Sequence, residues 1–353
     1  MEGWRVHAVM LPDGGAADER WLTSNGWSDR PIPDAEDLPG RFALPGLVDA
    51  HSHVSFGMGS DGPIPLDRDR AEEHRVQWAS HGVGLIRDVG GAPEVVLSLP
   101  QVPGRPYVVA AGRHLAPLGM YFEAVHRPVE PDRLVETALS ELAAGAVWVK
   151  LVADFTPASA RAMRLTAPEP TYELGAMREL VTAVHAAGGR VAAHVTTALV
   201  GALVGLGIDS VEHGTSLDEP TLAEMAQRGT AWTPTLCALL ASPPDATDER
   251  RRTVAERHER LKHLLPSAIR LGIPVLTGSD VVGSIPREVE LLVECGVSPI
   301  DALRAATTTA QNFLAREPQA SPAAAVTYHM DPREDPTVLA QPAAIVIAGA
   351  RVR

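Results

Sequence analysis

The feature that most constrains the fold is a repeated alternation of apolar, strand-like runs with amphipathic, helix-like runs. Runs such as PDRLVETALSELAAG and YELGAMRELVTAVHAAGG have a helical period and end in Gly, as many helices do. The expected strands lie at 44–54, 82–90, 106–112, 146–152, 190–195, 210–214, 231–236 and 274–280. Strands that alternate with helices pair in parallel through right-handed crossovers, so the pattern predicts an α/β fold, a (β/α)8 TIM barrel.

The two ends of the chain lie outside this alternation and carry β-like pieces of their own. Residues 1–43 are broken by the turn-forming strings PDGG, SNG and PIPDAEDLPG, and residues 325–353 contain AVTYHM and AAIVIAGARVR. We expect these two ends to pair as a small β accessory domain. The barrel then occupies residues 44–324.

Composition and charge narrow the class of partner. Among the 353 residues, 31 basic and 44 acidic side chains give a net charge of −13 without a Lys/Arg cluster, which argues against nucleic acid and anionic membranes. The two cysteines, Cys237 and Cys295, make no disulfide framework and fit a reducing cytoplasm. The start of the chain lacks a signal-peptide layout, and TALVGALVGLGI is too short to span a bilayer. We therefore expect a cytoplasmic protein acting on a small molecule, with a homo-oligomer left open.

Side chains that bind metals or move protons concentrate at the carboxyl ends of the predicted strands, where barrel enzymes place their active sites. The first strand ends in His51 and His53, and their spacing of two points both imidazoles to one side. The other four are Lys150, His194, His213 and Asp280, each near the end of its own strand. Imidazole and carboxylate ligands suit Zn, Mn, Co or Ni, so the pattern predicts a transition-metal site.

Each of these residues also has a purely structural interpretation when it is taken alone. The first two histidines can form a hydrogen-bonded pair, His194 can be a core histidine, His213 can cap a turn, and Asp280 can cap a helix. Lys150 lies in the apolar run AVWVKLVAD, and a lysine at a strand end can extend its ammonium into solvent. The coincidence of five donors and one lysine at strand ends favours the metal site. A lysine that reacts with carbon dioxide becomes an anionic carbamate, which can bridge two ions.

Eight strings together span residues 44–315: LPGLVDAHSHV, GVGLIRDVGG, VWVKLVAD, GGRVAAHV, IDSVEHGTSLDE, TPTL, LTGSD and SPIDALRAATTTAQNFLA. In these strings the chain resembles the amidohydrolase superfamily, and more narrowly its imidazolonepropionase-like and Xaa-Pro-dipeptidase-like metal-dependent hydrolases. The resemblance implies two divalent transition-metal ions, with Zn²⁺ as the first expectation. It implies that His51, His53 and Asp280 bind the more buried ion. His194 and His213 would then bind the more exposed ion, with carboxylated Lys150 as the bridge.

The chain departs from that family pattern at three places. The usual C-terminal G-x-x-A-D-L signature is absent, and SPAAAVTYHMDPREDP stands in its region. Dipeptidase-like relatives carry Gly-Gly-His after the third strand and Tyr after the seventh, whereas this chain has 119–121 as GMY and 235–237 as TLC. The groups that contact the scissile carbonyl are therefore changed, and the substrate cannot be carried over. The candidate substrate contacts are Tyr121, His114, His126 and Cys237.

The expected function is a metal-dependent hydrolase that cleaves an amide, or a related C–N or C–O bond, of a small molecule through a metal-bridging hydroxide. Asp280 would act as general base and then general acid, with Lys150 and His213 as the other expected catalytic residues. An alternative is a mononuclear deaminase or cyclic-amide hydrolase in which Lys150 is structural. A second alternative is a catalytically inactive barrel that acts as a binding protein. Arg113, Arg127 and Arg161 are candidates to bind a substrate carboxylate, although a surface position is favoured for each of them.

Overall fold

Parallel strands form the middle of the molecule, in a computed structural model that describes residues 3–59, 62–163, 166–243, 246–315 and 323–353. The strands are β1 (Trp4–Met10), β2 (Ala17–Thr23), β3 (Gly26–Ser28), β4 (Glu36–Asp37), β5 (Phe42–Pro45), β6 (Leu47–Ser52), β7 (Phe56–Gly59), β8 (Gly62–Pro65), β9 (Val83–Asp88), β10 (Tyr107–Ala110), β11 (His114–Leu115), β12 (Trp148–Val152), β13 (Asp154–Phe155), β14 (Glu169–Pro170), β15 (Arg190–Val195), β16 (Ser210–His213), β17 (Ala231–Thr233), β18 (Ala324–Tyr328), β19 (Ala344–Ile347) and β20 (Ala350–Arg351).

Helices follow most of the parallel strands. They are α1 (Arg68–Ser80), α2 (Pro93–Val96), α3 (Leu134–Ala143), α4 (Ala158–Ala162), α5 (Leu174–Ala186), α6 (Leu199–Leu206), α7 (Glu219–Arg228), α8 (Leu236–Leu239), α9 (Asp248–Arg270), α10 (Ile285–Glu294), α11 (Pro299–Ala305) and α12 (Thr308–Leu314). Short 3₁₀ turns lie at Glu123–Val125, Pro131–Arg133 and Pro336–Ala340. Among the described residues, none of these helices combines the length and the hydropathy needed to cross a membrane.

The central strands form two parallel sheets. Their orders are β10-β9-β6 and β11-β12-β15-β16-β17. The segment at 274–277 lies between β17 and β6: the Leu276 amide donates to the Trp232 carbonyl at 2.9 Å, and the Ala50 amide donates to the Thr277 carbonyl at 2.8 Å. On the other side, the Val147 amide donates to the Ala110 carbonyl at 3.1 Å. The carboxyl ends of these parallel segments therefore meet on one side of the molecule.

Local sequence explains why these segments become strands and helices. Strands β6, β9 and β12 are buried along their whole length, as expected for parallel strands covered on both faces. Helix α5 buries Met177, Leu180, Val181 and Val184, an i, i+3, i+4, i+7 stripe that faces the sheet. Side-chain caps start several helices, as where Asp218 accepts a hydrogen bond from the Thr221 amide. The apolar periodicity thus fixes which face of each element packs inward.

The two chain ends meet in a separate sheet with the order β20-β19-β18-β5-β1-β2-β3, in which β4 pairs with β1. Strand β18 from the C-terminal part runs antiparallel to β5, with Val326 opposite Leu44. The predicted first barrel strand, 44–54, is consequently divided: residues up to Pro45 belong to this end sheet, and β6 begins at Leu47. The chain crosses from one sheet to the other at Gly46. A side chain would clash at this position, because a Cβ there would lie 2.6 Å from the Ala324 Cβ.

Candidate metal centre

The six residues expected to bind metal lie around one cavity of about 300 Å³ at the carboxyl ends of the parallel strands. They are His51, His53, Lys150, His194, His213 and Asp280. The first two come from β6 and the turn after it, and Lys150 comes from β12. Since parallel strands bring their carboxyl ends to the same edge, residues far apart in sequence converge here.

One half of the site is formed by His51, His53 and Asp280, whose potential ligand atoms all lie within 4.8 Å of one another. Both Nε2 atoms lie 3.5 Å from the Asp280 Oδ1. The opposite ring nitrogens are occupied: the Nδ1 atom of His53 donates to the Gly90 carbonyl at 2.7 Å, and that of His51 lies 2.6 Å from a Glu212 carboxylate oxygen. With Nδ1 engaged in this way, Nε2 of each ring faces Asp280 and is the nitrogen left available to a metal.

A strained turn positions Asp280. Asp280 and Val281 have φ values of 50° and 53°, in the left-handed region that costs non-glycine residues energy. The turn is held by the Asp280 amide, which donates to the His51 carbonyl at 2.9 Å. Gly278 is needed just before it, because a Cβ there would lie 2.5 Å from the Cβ of His51. The carboxylate is thereby aimed at the two imidazoles rather than along the chain.

Asp49 stabilises the same region through hydrogen bonds. Its carboxylate accepts hydrogen bonds from the Ser279 amide at 3.0 Å and hydroxyl at 2.5 Å, and from the Trp78 indole at 2.9 Å. The side chain is fully buried, and burial raises its pKa, although these donors oppose the shift. Asp49 thus ties the segment that carries His51 to the segment that carries Asp280.

The other half of the site is formed by His194 and His213, whose ring centroids are 4.5 Å apart. His213 also lies 4.9 Å from the ring of His51, which joins the two halves. Its Nδ1 lies 2.7 Å from the Thr235 hydroxyl, and both residues have positive φ values, 67° and 50°. Burial lowers the pKa of His194 to about 3 and that of His213 well below its usual value. Both imidazoles are therefore neutral near pH 7, which is the form that binds a metal.

Lys150 lines the same cavity as the two halves and is 1% exposed. Its Nζ has no hydrogen-bond partner among the described residues, and burial lowers its pKa to about 8 against the opposing charges of Glu212 and Asp280. The interpretation that Lys150 extends into solvent is therefore wrong. An orphaned amine at this depth is costly unless another group satisfies it.

Residues 42–320 match the family model described as amidohydrolase family, which spans more than half of the chain. The chain belongs to the amidohydrolase family. This confirms the resemblance carried by the strand-end strings. An uncharacterized protein of Mycobacterium tuberculosis (strain ATCC 25618 / H37Rv) is 33% identical over 360 residues, covering 98% of this chain and 94% of that protein.

Solved structures share the fold of this amidohydrolase. A Xaa-Pro dipeptidase with methionine bound in its active site superposes with a TM-score of 0.78 at 20% identity, covering 99% of each chain. The ochratoxinase of A. niger superposes with a TM-score of 0.78 at 17% identity, covering 100% of this chain and 96% of that chain. At these identities the likeness concerns the fold.

Two charged residues that sequence reasoning did not identify support the centre of this amidohydrolase. Glu212 is fully buried, and its carboxylate joins the His51 ring to the Arg87 guanidinium, 2.7 Å away. Burial alone would raise the pKa of Glu212, but Arg87 and His51 hold it well below its usual value. A signal was present, because Arg87 and Glu212 both interrupt apolar strand runs, and buried charges occur in pairs.

The four candidate substrate contacts are placed differently from one another. Tyr121 lines the cavity, whereas His114, His126 and Cys237 are not among its lining residues. The His114 ring is buried 4.4 Å from the Tyr121 ring, and neither of its nitrogens has a partner among the described residues. His126 is 2.9 Å from the Ala116 carbonyl and lines a different cavity. The Cys237 Sγ packs against Gly283, where a Cβ would lie 2.4 Å away.

Proposed function

We propose that this amidohydrolase is a metal-dependent hydrolase that cleaves an amide, or a related C–N or C–O bond, of a small molecule. The observation that carries the proposal is the convergence of four imidazoles, one carboxylate and one orphaned, buried lysine amine on a single cavity. Membership of the family supports hydrolysis as the reaction class. Structural neighbours described as a Xaa-Pro dipeptidase and an ochratoxinase support an amide as the bond.

The donor set fits two divalent transition-metal ions, with Zn²⁺ as the first expectation. His51, His53 and Asp280 would hold one ion, His194 and His213 the other, and Lys150, carboxylated by carbon dioxide, would bridge them. Such ions supply an activated water near neutral pH and polarise the scissile carbonyl. The neutral imidazoles and the orphaned Lys150 amine are the features of the chain that agree with this occupancy.

The chain's own residues then move the proton and stabilise charge. The imidazoles of His51, His53 and His213 hold the pKa of Asp280 well below its usual value despite burial, so the carboxylate is ionised at neutral pH. It accepts a proton from the attacking water and delivers it to the leaving heteroatom. Burial raises the pKa of Tyr121, so its phenol keeps its proton and donates to the oxyanion that forms on the carbonyl.

The proposal extends to the architecture that holds the site. We propose a closed (β/α)8 barrel over residues 44–324, supported by the hydrogen bonds that link the segment at 274–277 to its neighbours. The end sheet supports a β accessory domain from residues 1–43 and 325–353, a division that includes residues outside the described ranges. A cytoplasmic location, a small-molecule substrate and the lack of nucleic-acid or membrane partners stay predictions from the sequence.

One alternative has a specific observation in its favour. His51, His53 and Asp280 form a three-donor cluster by themselves, so a mononuclear deaminase or cyclic-amide hydrolase with a structural Lys150 agrees with that half of the site. Elemental analysis of gently purified protein distinguishes this mononuclear alternative from the binuclear hydrolase. The binuclear proposal requires close to two ions per chain. A consistent value of one supports the mononuclear alternative, and no metal after supplementation supports a barrel that only binds its ligand.

A further inference from the structure

The wall of the cavity beyond the metal centre is aromatic. Three of the five phenylalanines in the chain line it, namely Phe56, Phe122 and Phe155, together with Tyr121. The Phe56 ring stacks on the His53 ring at 4.2 Å, and the Phe155 ring lies 5.7 Å from that of His194. The Phe155 ring also packs 5.0 Å from the Tyr121 ring. An apolar wall therefore runs beside both halves of the metal centre.

The mouth of the cavity is apolar as well. Three lining residues reach the surface there: Met58 is 50% exposed, Phe122 is 38% exposed and Val282 is 49% exposed. Exposed apolar side chains that border a cavity mark a surface that meets an apolar ligand. Among the described lining residues, the ionisable side chains are the six of the metal centre and Tyr121.

The arginines that were candidates to hold a substrate carboxylate are all engaged elsewhere. Arg113 is paired with the buried Glu141, and Arg127 is paired with Glu94. Arg161 donates to the Tyr121 carbonyl at 2.9 Å and to the Thr156 carbonyl, with its guanidinium 5.0 Å from the Phe155 ring centroid. Arg161 therefore braces the aromatic wall from outside and is not among the residues that line the cavity.

We propose that the substrate is a neutral, apolar amide, carbamate or ester with a compact aromatic or branched alkyl group, and not a peptide or N-acyl amino acid that ends in a free carboxylate. The inference rests on the proposed hydrolase function and names its substrate class. A cavity of about 300 Å³ is at the small end of ligand sites, which span roughly 300–1,000 Å³. An apolar group gains free energy against an aromatic wall, whereas a carboxylate placed there loses its hydration, and outside the metal centre no described lining residue offers it a cation.

The test compares matched anilides on metal-loaded protein. The probes are butyranilide, its 4-carboxyl derivative and its 4-isopropyl derivative, which has nearly the shape of the carboxyl compound without its charge. We expect kcat/KM for both neutral anilides to exceed that of the carboxylate by at least about 100-fold, since an unpaired charge on apolar surface costs several kcal/mol. The dipeptide leucyl-proline should be turned over no better than the carboxylate.

A pair of variants at the mouth tests whether charge is the reason. Met58→Lys places a cation at the rim, and Met58→Gln is its neutral control of similar length. The lysine variant should improve the carboxyl-to-isopropyl ratio of kcat/KM by about tenfold or more, because a charge-assisted contact replaces an absent one. The glutamine variant should leave that ratio within about twofold of the parent value.

The outcomes separate this inference from the hydrolase proposal. Faster hydrolysis of the carboxylate or of the dipeptide by the parent protein would overturn the substrate class while leaving the hydrolase function in place. If no probe is hydrolysed at full metal loading, the hydrolase proposal loses its support, and calorimetric Kd values for the same anilides decide the substrate class. Tighter binding of the neutral anilides then supports it, and equal or tighter binding of the carboxylate overturns it.

Discussion

Glu212→Gln removes one negative charge from the buried chain Arg87–Glu212–His51 while it keeps the shape of the side chain. The carboxylate lies 2.7 Å from the guanidinium and 2.6 Å from the imidazole, and both partners are almost completely buried. The change leaves the Arg87 cation without its counter-charge, and breaking a buried pair in this way costs about 3–5 kcal/mol. Arg87 keeps hydrogen bonds to the Ala50 carbonyl and the Thr233 hydroxyl. Because these bonds partly satisfy the cation, we expect the free energy of unfolding to fall by about 3 kcal/mol, the lower end of that range.

The same substitution should also weaken metal binding. A carboxylate on the far nitrogen of a ligating histidine fixes its tautomer and raises its basicity, and its loss typically costs about 10–100-fold in metal affinity. Asp280 and Glu212 raise the pKa of His51 against the effect of its burial, so the stability loss should be larger near pH 5 than near pH 8, where His51 has lost its proton and with it the ion pair. The folded pKa of Glu212 is itself depressed by Arg87 and His51 despite burial. Its stabilisation is fully present above the usual value of 4.5 and disappears only as pH falls through the lower, folded value.

The assay has two readouts and a matched control. Urea denaturation of metal-free protein gives the free energy of unfolding, and competition with a chromophoric chelator gives the Zn²⁺ affinity. Glu141→Gln is the control, because Glu141 is also buried and paired with an arginine, Arg113, but contacts none of the metal-site residues. It should lose less stability, as Arg113 is part-exposed, and should keep its metal affinity. Unchanged Zn²⁺ affinity in Glu212→Gln would refute the supporting role of this carboxylate.

Four further outcomes are expected. Lys150→Ala should lose most paired-metal occupancy and activity, with partial rescue by acetate or propionate, whereas Lys150→Arg should stay inactive because a guanidinium forms no carbamate. Burial lowers the pKa of Lys150 to about 8, and only the neutral amine is carboxylated. The neutral fraction is about tenfold larger at pH 9 than at pH 7, so metal-stripped protein should regain metal about tenfold faster at pH 9 when dissolved carbon dioxide is held constant. Asp280→Asn should lower turnover by roughly 10²–10⁴-fold. Tyr121→Phe should lower kcat by roughly 10²–10³-fold with little change in KM.

Each of these outcomes has a result that contradicts it. An active Lys150→Arg protein would show that Lys150 has only a structural role. A recovery of metal that does not depend on pH would show that metal binding does not require the neutral amine. Asp280→Asn must be assayed on samples of measured metal content, and near-normal turnover at full loading would exclude Asp280 from proton transfer. Tyr121→Phe with an unchanged kcat would show that the phenol does not contact the developing oxyanion.

The amino-acid sequence determined the family and the convergence of the six candidate metal ligands on one cavity. Alternating strand and helix periods predict parallel strands, and parallel strands bring their carboxyl ends to one edge. Residues such as His51, Lys150 and Asp280 therefore converge whatever the loops do, because each is tied to the end of its own strand. The family resemblance could be identified for the same reason, since its strings are those strand ends.

The sequence was less informative about strand limits. The predicted first strand is divided at Gly46 between two sheets, and the predicted eighth, at 274–280, contains a single bridge from Val275 to Trp232. An apolar run shows that a segment is buried, but it does not show where hydrogen bonding passes from one sheet to the next. That boundary depends on which neighbouring strand lies close enough to form backbone hydrogen bonds with the segment.

Only the tertiary structure decided how the side chains around the centre are used. Glu212 meets His51 across 161 positions of sequence, and Arg161 turns its guanidinium onto backbone carbonyls and an aromatic ring instead of into the cavity. Tyr121 lies in the irregular segment that follows strand β11, which begins with His114, yet Tyr121 reaches the cavity and His114 is buried behind it. Periodicity fixes the direction of a side chain on a strand, but in loops that direction follows from packing against partners distant in sequence.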